Sequence, residues 1–134
     1  MTPHQFTTRV YYEDTDLAGI VYYANYLKFI ERARTEWVGS LGVDQIALKA
    51  REGIVFAVRR VEADFLRPAR FGDDLVVQTS LQMLGGARIV LDQAVLRRGE
   101  RLFTAVVTLV CLTEDGHAAR LPPDVRARLS GPLH

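Results

Sequence analysis

Residues 23–42, YANYLKFIERARTEWVGSLG, decide the fold, because here apolar side chains recur every three or four positions. Leu27, Ile30, Ala33, Trp37, Val38 and Leu41 form one stripe, while Lys28, Glu31, Arg32, Thr35 and Glu36 fall elsewhere on the cylinder. The pattern predicts an amphipathic helix closing near Gly42. About 20 helical residues would reach roughly 30 Å, which is long for a small domain. The expectation is a central helix, with the rest of the chain folded over its apolar stripe.

On either side of it the period changes to two. Phe6 to Tyr12 reads as a strand, and Ile54 to Leu66, Leu75 to Leu84, Arg88 to Arg97 and Leu102 to Leu112 read as four more. Turn signals separate the last four: Arg67-Pro68 through Gly72-Asp73-Asp74, then Gly85-Gly86, then Arg98-Gly99-Glu100. Short connections predict antiparallel neighbours. A polar stretch at Lys49 to Gly53 joins helix to sheet, and Pro122 to Leu129 can form a short closing helix with Pro123 in its first turn. In the last strand Phe103, Ala105, Val107, Leu109 and Cys111 share one face, and the opposite face, Leu102 to Leu112, is also poor in charge. One helix covers only one face, so another subunit is expected to meet the remaining surface or an exposed edge. The class is α+β, a long antiparallel sheet around a central helix, in a single domain spanning residues 1–134.

Composition narrows the function. The chain has 134 residues, 49% hydrophobic and 25% charged, with a net charge of +1. Such a balance gives no global field for nucleic acid or an anionic membrane. There is no signal-peptide core and no apolar run of transmembrane length, so an unprocessed, soluble, cytoplasmic protein is expected. The lone Cys111 in an apolar run fits a buried thiol in a reducing compartment. The three histidines, His4, His117 and His134, lie near the ends or in a turn, which argues against a histidine-dependent triad. Metal-ligand spacing and a phosphate loop are absent, and no cofactor is expected.

What remains is the loop from Tyr12 to Tyr26, YEDTDLAGIVYYANY, which sets acidic residues and a glycine before the helix start. Asp14 and Asp16 can simply shape the turn or favour the helix dipole. They can also do chemistry. The unpaired N–H groups of a helix N-terminus can stabilise a carbonyl oxygen as it becomes an oxyanion, while a neighbouring carboxylate attacks the carbonyl or activates water. These are the minimal parts for hydrolysing an acyl thioester, whose thiolate leaves readily. Asn25 and Tyr26 can line the pocket, cap the helix or pack in the core.

The run from Arg9 to Trp37, RVYYEDTDLAGIVYYANYLKFIERARTEW, resembles the signature of hotdog-fold acyl-CoA thioesterases of the 4-hydroxybenzoyl-CoA thioesterase superfamily. It is most similar to the YbgC-like branch associated with the Tol-Pal system. The likeness continues more weakly through Ala63-Asp64-Phe65-Leu66-Arg67-Pro68-Ala69 and Phe71-Gly72-Asp73. The resemblance implies a hotdog fold and a homodimer or homotetramer with active sites at the subunit interface. It also implies an acyl-CoA substrate, and a Tol-Pal association on the strength of the branch alone. It maps the catalytic carboxylate onto Asp16, as nucleophile or general base, and the carbonyl-polarising backbone N–H onto Tyr23 or its neighbours. Gly19, Val21, Tyr22 and Asn25 become the substrate-binding candidates. Tyr23 stands where YbgC-like enzymes commonly carry histidine, which preserves a backbone donor but removes an imidazole.

Among the arginines, Arg59, Arg60, Arg67 and Arg88 are candidates for gripping CoA phosphates, or else solvated strand ends. Two other functions fit the same parts: a hotdog dehydratase, which would need a histidine near the helix, and an acyl-thioester-binding or envelope-associated interaction module without turnover.

Overall fold

The computed structural model describes residues 2–131; His134 lies outside them. Strand β1 (His4–Arg9) leads through two 3₁₀ turns, Tyr12–Asp14 and Tyr23–Asn25, into helix α1 (Tyr26–Ser40). Helix α2 (Gln45–Glu52) follows, then strands β2 (Ile54–Phe65), β3 (Asp74–Leu84), β4 (Arg88–Arg97) and β5 (Glu100–Thr113), and finally helix α3 (Pro123–Leu129). The five strands make one antiparallel sheet in the order β1-β3-β4-β5-β2, and α1 packs against β1, β3 and β4. This is the hotdog arrangement, and it bears out the α+β expectation.

The core follows the alternation of strand residues. On β5 Phe103, Ala105, Val107, Leu109 and Cys111 are buried, whereas Thr104, Val106, Thr108, Val110 and Leu112 on the other face are only half-buried. They meet Phe29, Ile30, Ala33, Trp37 and Val38 of α1 in one apolar cluster. Each fully buried side chain of this size contributes about 1.5–3 kcal/mol relative to exposure. Burial pushes the Cys111 thiol up to about 11, so it stays protonated and inert at neutral pH. One polar string crosses this core. The Gln93 side-chain amide donates to Ile30 O at 3.0 Å and Thr79 Oγ1 at 2.9 Å, and its carbonyl accepts from Arg34 at 3.1 Å.

Several expectations need correction. The α-helix proper has 15 residues rather than about 20, because its first turn is the separate 3₁₀ turn at Tyr23–Asn25. Leu27 does not belong to the apolar stripe: it is exposed, and Phe29 takes its place at the core. The first strand stops at Arg9 rather than running to Tyr12, since the chain turns into the 3₁₀ segment there. The polar stretch before β2 is the second half of α2, capped by Asp44 and closed by Gly53. Strands β2 and β3 are not neighbours despite their short connection. The sheet wraps the helix, so β2 pairs with β5 and forms one edge while β1 forms the other. The β4–β5 hairpin turns at Arg98 and Gly99, both with positive φ of 51° and 79°, as a two-residue turn of matching twist requires.

Candidate active site

The segment from Tyr11 to Asn25 is built almost entirely from hydrogen bonds. The Tyr22 N–H donates to Asp14 O at 2.9 Å, Thr15 bridges Val21, and the Asp16 N–H donates to Ile20 O at 3.0 Å. These contacts fold residues 14–22 into a small hairpin with a three-residue loop, Leu17-Ala18-Gly19. The Gly19 N–H closes the loop on Asp16 O at 3.0 Å, with Gly19 at φ +80°, a conformation that only glycine adopts without strain. The Asp16 side chain takes the Ala18 N–H at 2.9 Å, which orients its carboxylate at the base of the loop.

The hairpin rests on the β2–β3 connection. Val21 N–H donates to Ala69 O at 2.8 Å, Ile20 bridges Arg70, and the Tyr26 hydroxyl accepts the Ala69 N–H at 3.0 Å. That connection is fastened in turn by Asp73, whose carboxylate accepts the Arg70 N–H and the Arg97 guanidinium, each at 2.8 Å. Burial alone would raise the Asp73 pKa, but these two donors outweigh it and hold the carboxyl below the usual range. Burial likewise pushes the Tyr26 phenol up.

Ile20, Val21, Tyr23, Tyr26, Phe65, Leu66, Arg67 and Pro68 line an open, mostly apolar pocket of about 300 Å³. Its wall is aromatic: Tyr26 stacks on Phe103 with ring centres 4.9 Å apart, and Phe65 meets Tyr23, Tyr26 and Phe103 edge-on. Just above it the chain enters the 3₁₀ turn. The first helical bond is Asn25 N–H to Tyr22 O at 2.8 Å, and among the described residues nothing takes the N–H groups of Tyr23 or Ala24. Among the described residues no side chain caps this turn or the helix after it.

The expected site residues thus occupy distinct places. Asp16, Gly19, Tyr22 and Tyr23 are exposed on the hairpin and turn, and Val21 is buried at the cavity wall. Asp16 lies outside the cavity lining and adjoins it through its pairing with Ile20. Asn25 turns inward, 7% exposed, and donates its side-chain N–H to Asp14 Oδ1 at 2.7 Å. Of the arginines, Arg60 and Arg67 form exposed ion pairs with Glu62 and Glu100, while Arg59 and Arg88 are simply exposed. The sequence reading allows Tyr26 to line the pocket, and Phe65, Pro68 and Asp73 lie in stretches that carry the weaker likeness. That Phe65 and Pro68 line the pocket with Tyr26, and that Arg97 fastens Asp73, has no local signal, because distant segments bring them together. Among the described residues no group of three or more His, Cys, Asp or Glu could hold a metal, and no helix is long and apolar enough to cross a membrane.

Comparison with known proteins places this geometry. Residues 10–129 match the family described as the thioesterase-like superfamily. The acyl-CoA thioesterase YbgC of Haemophilus influenzae is 39% identical over 107 residues, covering 80% of this chain and 79% of that protein. A solved structure of a probable thioesterase from Bartonella henselae is 38% identical, with a TM-score of 0.82 over 91% of this chain and 100% of that one. A 4-hydroxybenzoyl-CoA thioesterase crystallised with 4-hydroxybenzoyl-CoA shares the fold, with a TM-score of 0.90 at 22% identity over 96% of this chain and 99% of that one.

Proposed function

The chain belongs to the thioesterase-like superfamily and is an acyl-CoA thioester hydrolase, and from that premise we propose how it works. The thioester carbonyl lies across the start of the 3₁₀ turn, its oxygen accepting from the N–H of Tyr23, with that of Ala24 beside it. The Asp16 carboxylate faces the carbonyl carbon. It either attacks that carbon itself or takes a proton from the water that does. In both routes the oxygen becomes an oxyanion stabilised by main-chain donors, and collapse expels the CoA thiolate. Direct attack leaves an acyl-aspartyl anhydride that water then cleaves; water attack gives the carboxylic acid at once. Neither route calls on a cofactor, and CoA enters only as part of the substrate.

One observation supports the reading: the hairpin pairs Asp16 with Ile20 and, two pairs further along, Asp14 with Tyr22, the residue before a helix start whose first two N–H groups are untaken among the described residues. The pocket of Val21, Tyr23, Tyr26 and Phe65 suits the acyl group, and we keep Gly19 and Tyr22 as substrate-binding candidates from the adjoining hairpin. The exposure of Asp16, Tyr22 and Tyr23 fits a homodimer or homotetramer in which a second copy covers the site. Edge strand β2, with exposed Val58, Val61 and Phe65 and a bulge at Val58/Arg60, offers such a surface. We take the chain as one domain over residues 1–134 and its location as cytoplasmic, where acyl-CoA is made and used. The Tol-Pal association rests on the branch resemblance alone.

The test is release of free thiol from short, long and aromatic acyl-CoAs. Asp16→Asn should lower turnover by about 10²- to 10⁴-fold with assembly intact. Normal hydrolysis by that variant, or tight binding without thiol release by the wild type, would defeat the mechanism.

A further inference from the structure

Asp14 is a carboxylate buried to 7% exposure with no cation beside it: none of the ion pairs among the described residues includes it. Burying a charge without compensation is costly, so the donors that surround it must have a purpose. Oδ2 accepts the Tyr11 N–H at 2.8 Å, and Oδ1 accepts the Asn25 side-chain N–H at 2.7 Å. Its backbone carbonyl takes the Tyr22 N–H at 2.9 Å. The residue therefore lies in the hairpin strand that carries Asp16 and ties it to the residue before the 3₁₀ turn and to the last residue of that turn. Asn25 directly precedes α1, where an asparagine would ordinarily accept the N–H of Leu27 or Lys28 ahead of it. Here its amide points away, and the turn stays uncapped.

We infer that the Asp14–Asn25 pair is a positioning device. It sets the distance and angle between the Asp16 carboxylate and the N–H groups of Tyr23 and Ala24. Neither residue touches substrate, so Asn25 leaves the set of substrate-binding candidates. The inference rests on the proposed roles of Asp16 and the turn.

The experiment exchanges the pair. Asn25→Asp sets two carboxylates against each other, and like charges at hydrogen-bond distance repel. Its kcat for butyryl-CoA and benzoyl-CoA hydrolysis should fall by about 10²-fold, the cost of misplacing a reacting group by roughly 1 Å, with KM little changed. Adding Asp14→Asn restores one donor and one acceptor across the same gap and should recover most of the loss. A double variant that folds but is no faster than Asn25→Asp overturns the inference, as does a KM that rises while kcat holds. If Asn25→Asp does not fold, Asn25→Ala serves: it should lose at least about tenfold in kcat, the lower end of one charge-assisted hydrogen bond. Wild-type kcat in that variant overturns the positioning role. Amide hydrogen exchange, read without substrate, separates this from failure of the catalytic scheme. Protection of the Tyr22 N–H should fall in Asn25→Ala while that of Phe29 to Val38 holds, and unchanged protection at Tyr22 overturns the inference whatever the activity.

Discussion

At the start of α2 the Asp44 carboxylate takes the N–H groups of Ile46 and Ala47, each at 3.0 Å, whereas at the turn leading into α1 no side chain takes those of Tyr23 and Ala24. Each α-helix is preceded by a residue of capping type, Asp44 at α2 and Asn25 at α1. At α2 it caps, and Gly53 and the basic Lys49 and Arg51 complete the other end, so the helix is stabilised by its own sequence. At α1 the capping residue is directed into Asp14, and the turn is held from outside by the hairpin, by Ala69 and by the Asp73–Arg97 pair. A helix start stabilised by its neighbours can leave its own donors open to a ligand. One stabilised from within cannot.

The contrast can be broken by giving the first start the chemistry of the second. Tyr22→Asp places a capping carboxylate against the Ala24 N–H and should lower kcat by about 10²-fold, the cost of losing one oxyanion donor, without lowering Tm. Tyr22→Ala removes the same ring without supplying an acceptor and should lose far less. Equal losses in steady-state assays of the two would mean that the open N–H groups are idle.

A smaller effect tests the outside support. Because the Asp73 carboxyl is held below its usual range in the folded chain, it contributes stability that is fully present above about pH 5. That contribution is lost as pH falls through the lowered folded value. Thermal melts between pH 7 and 3 should show this loss, and Asp73→Asn should flatten it while lowering Tm at pH 7. Hydrogen exchange in that variant should quicken at Val21, whose N–H depends on the same segment, and stay unchanged at Ala47.

The smallest effect is at α2. Asp44→Ala should cost about 1 kcal/mol, a drop of roughly 3 °C in Tm for a chain of this size, and leave kcat unaltered. A change in turnover would show that the two helix starts are not independent.

How much of this was legible in the sequence depends on how far apart the partners lie. The period of residues 23–42, the strand alternation and the Arg98-Gly99 turn are local, and each marks its element to within a few residues: the helix begins three residues late and the first strand ends three early, where 3₁₀ segments intervene. The signals for α2 were local too: Asp44, Lys49, Arg51 and Gly53 form a full set of start and stop residues. Only Leu48 of that helix is buried, so an apolar stripe, the usual guide, is nearly absent. The pairing of β2 with β5 follows from closing a sheet around a helix, which no single segment encodes. The Asp16 loop stands out as a candidate by its residue types, which fit turn shaping as well as chemistry. That Asn25 answers to Asp14, 11 residues earlier, depends on the hairpin between them and leaves no periodic trace.

Trp37, the only tryptophan, sits in the apolar cluster about three turns of α1 beyond Tyr26, or roughly 16 Å along the axis. Its fluorescence will therefore report on melting of the packed interior and stay blind to fraying of the hairpin, which holds by hydrogen bonds at an exposed rim and is of the kind that opens first. Loss of turnover on warming should precede any change in emission, and a single optical melting curve would overstate the temperature at which this protein can still work.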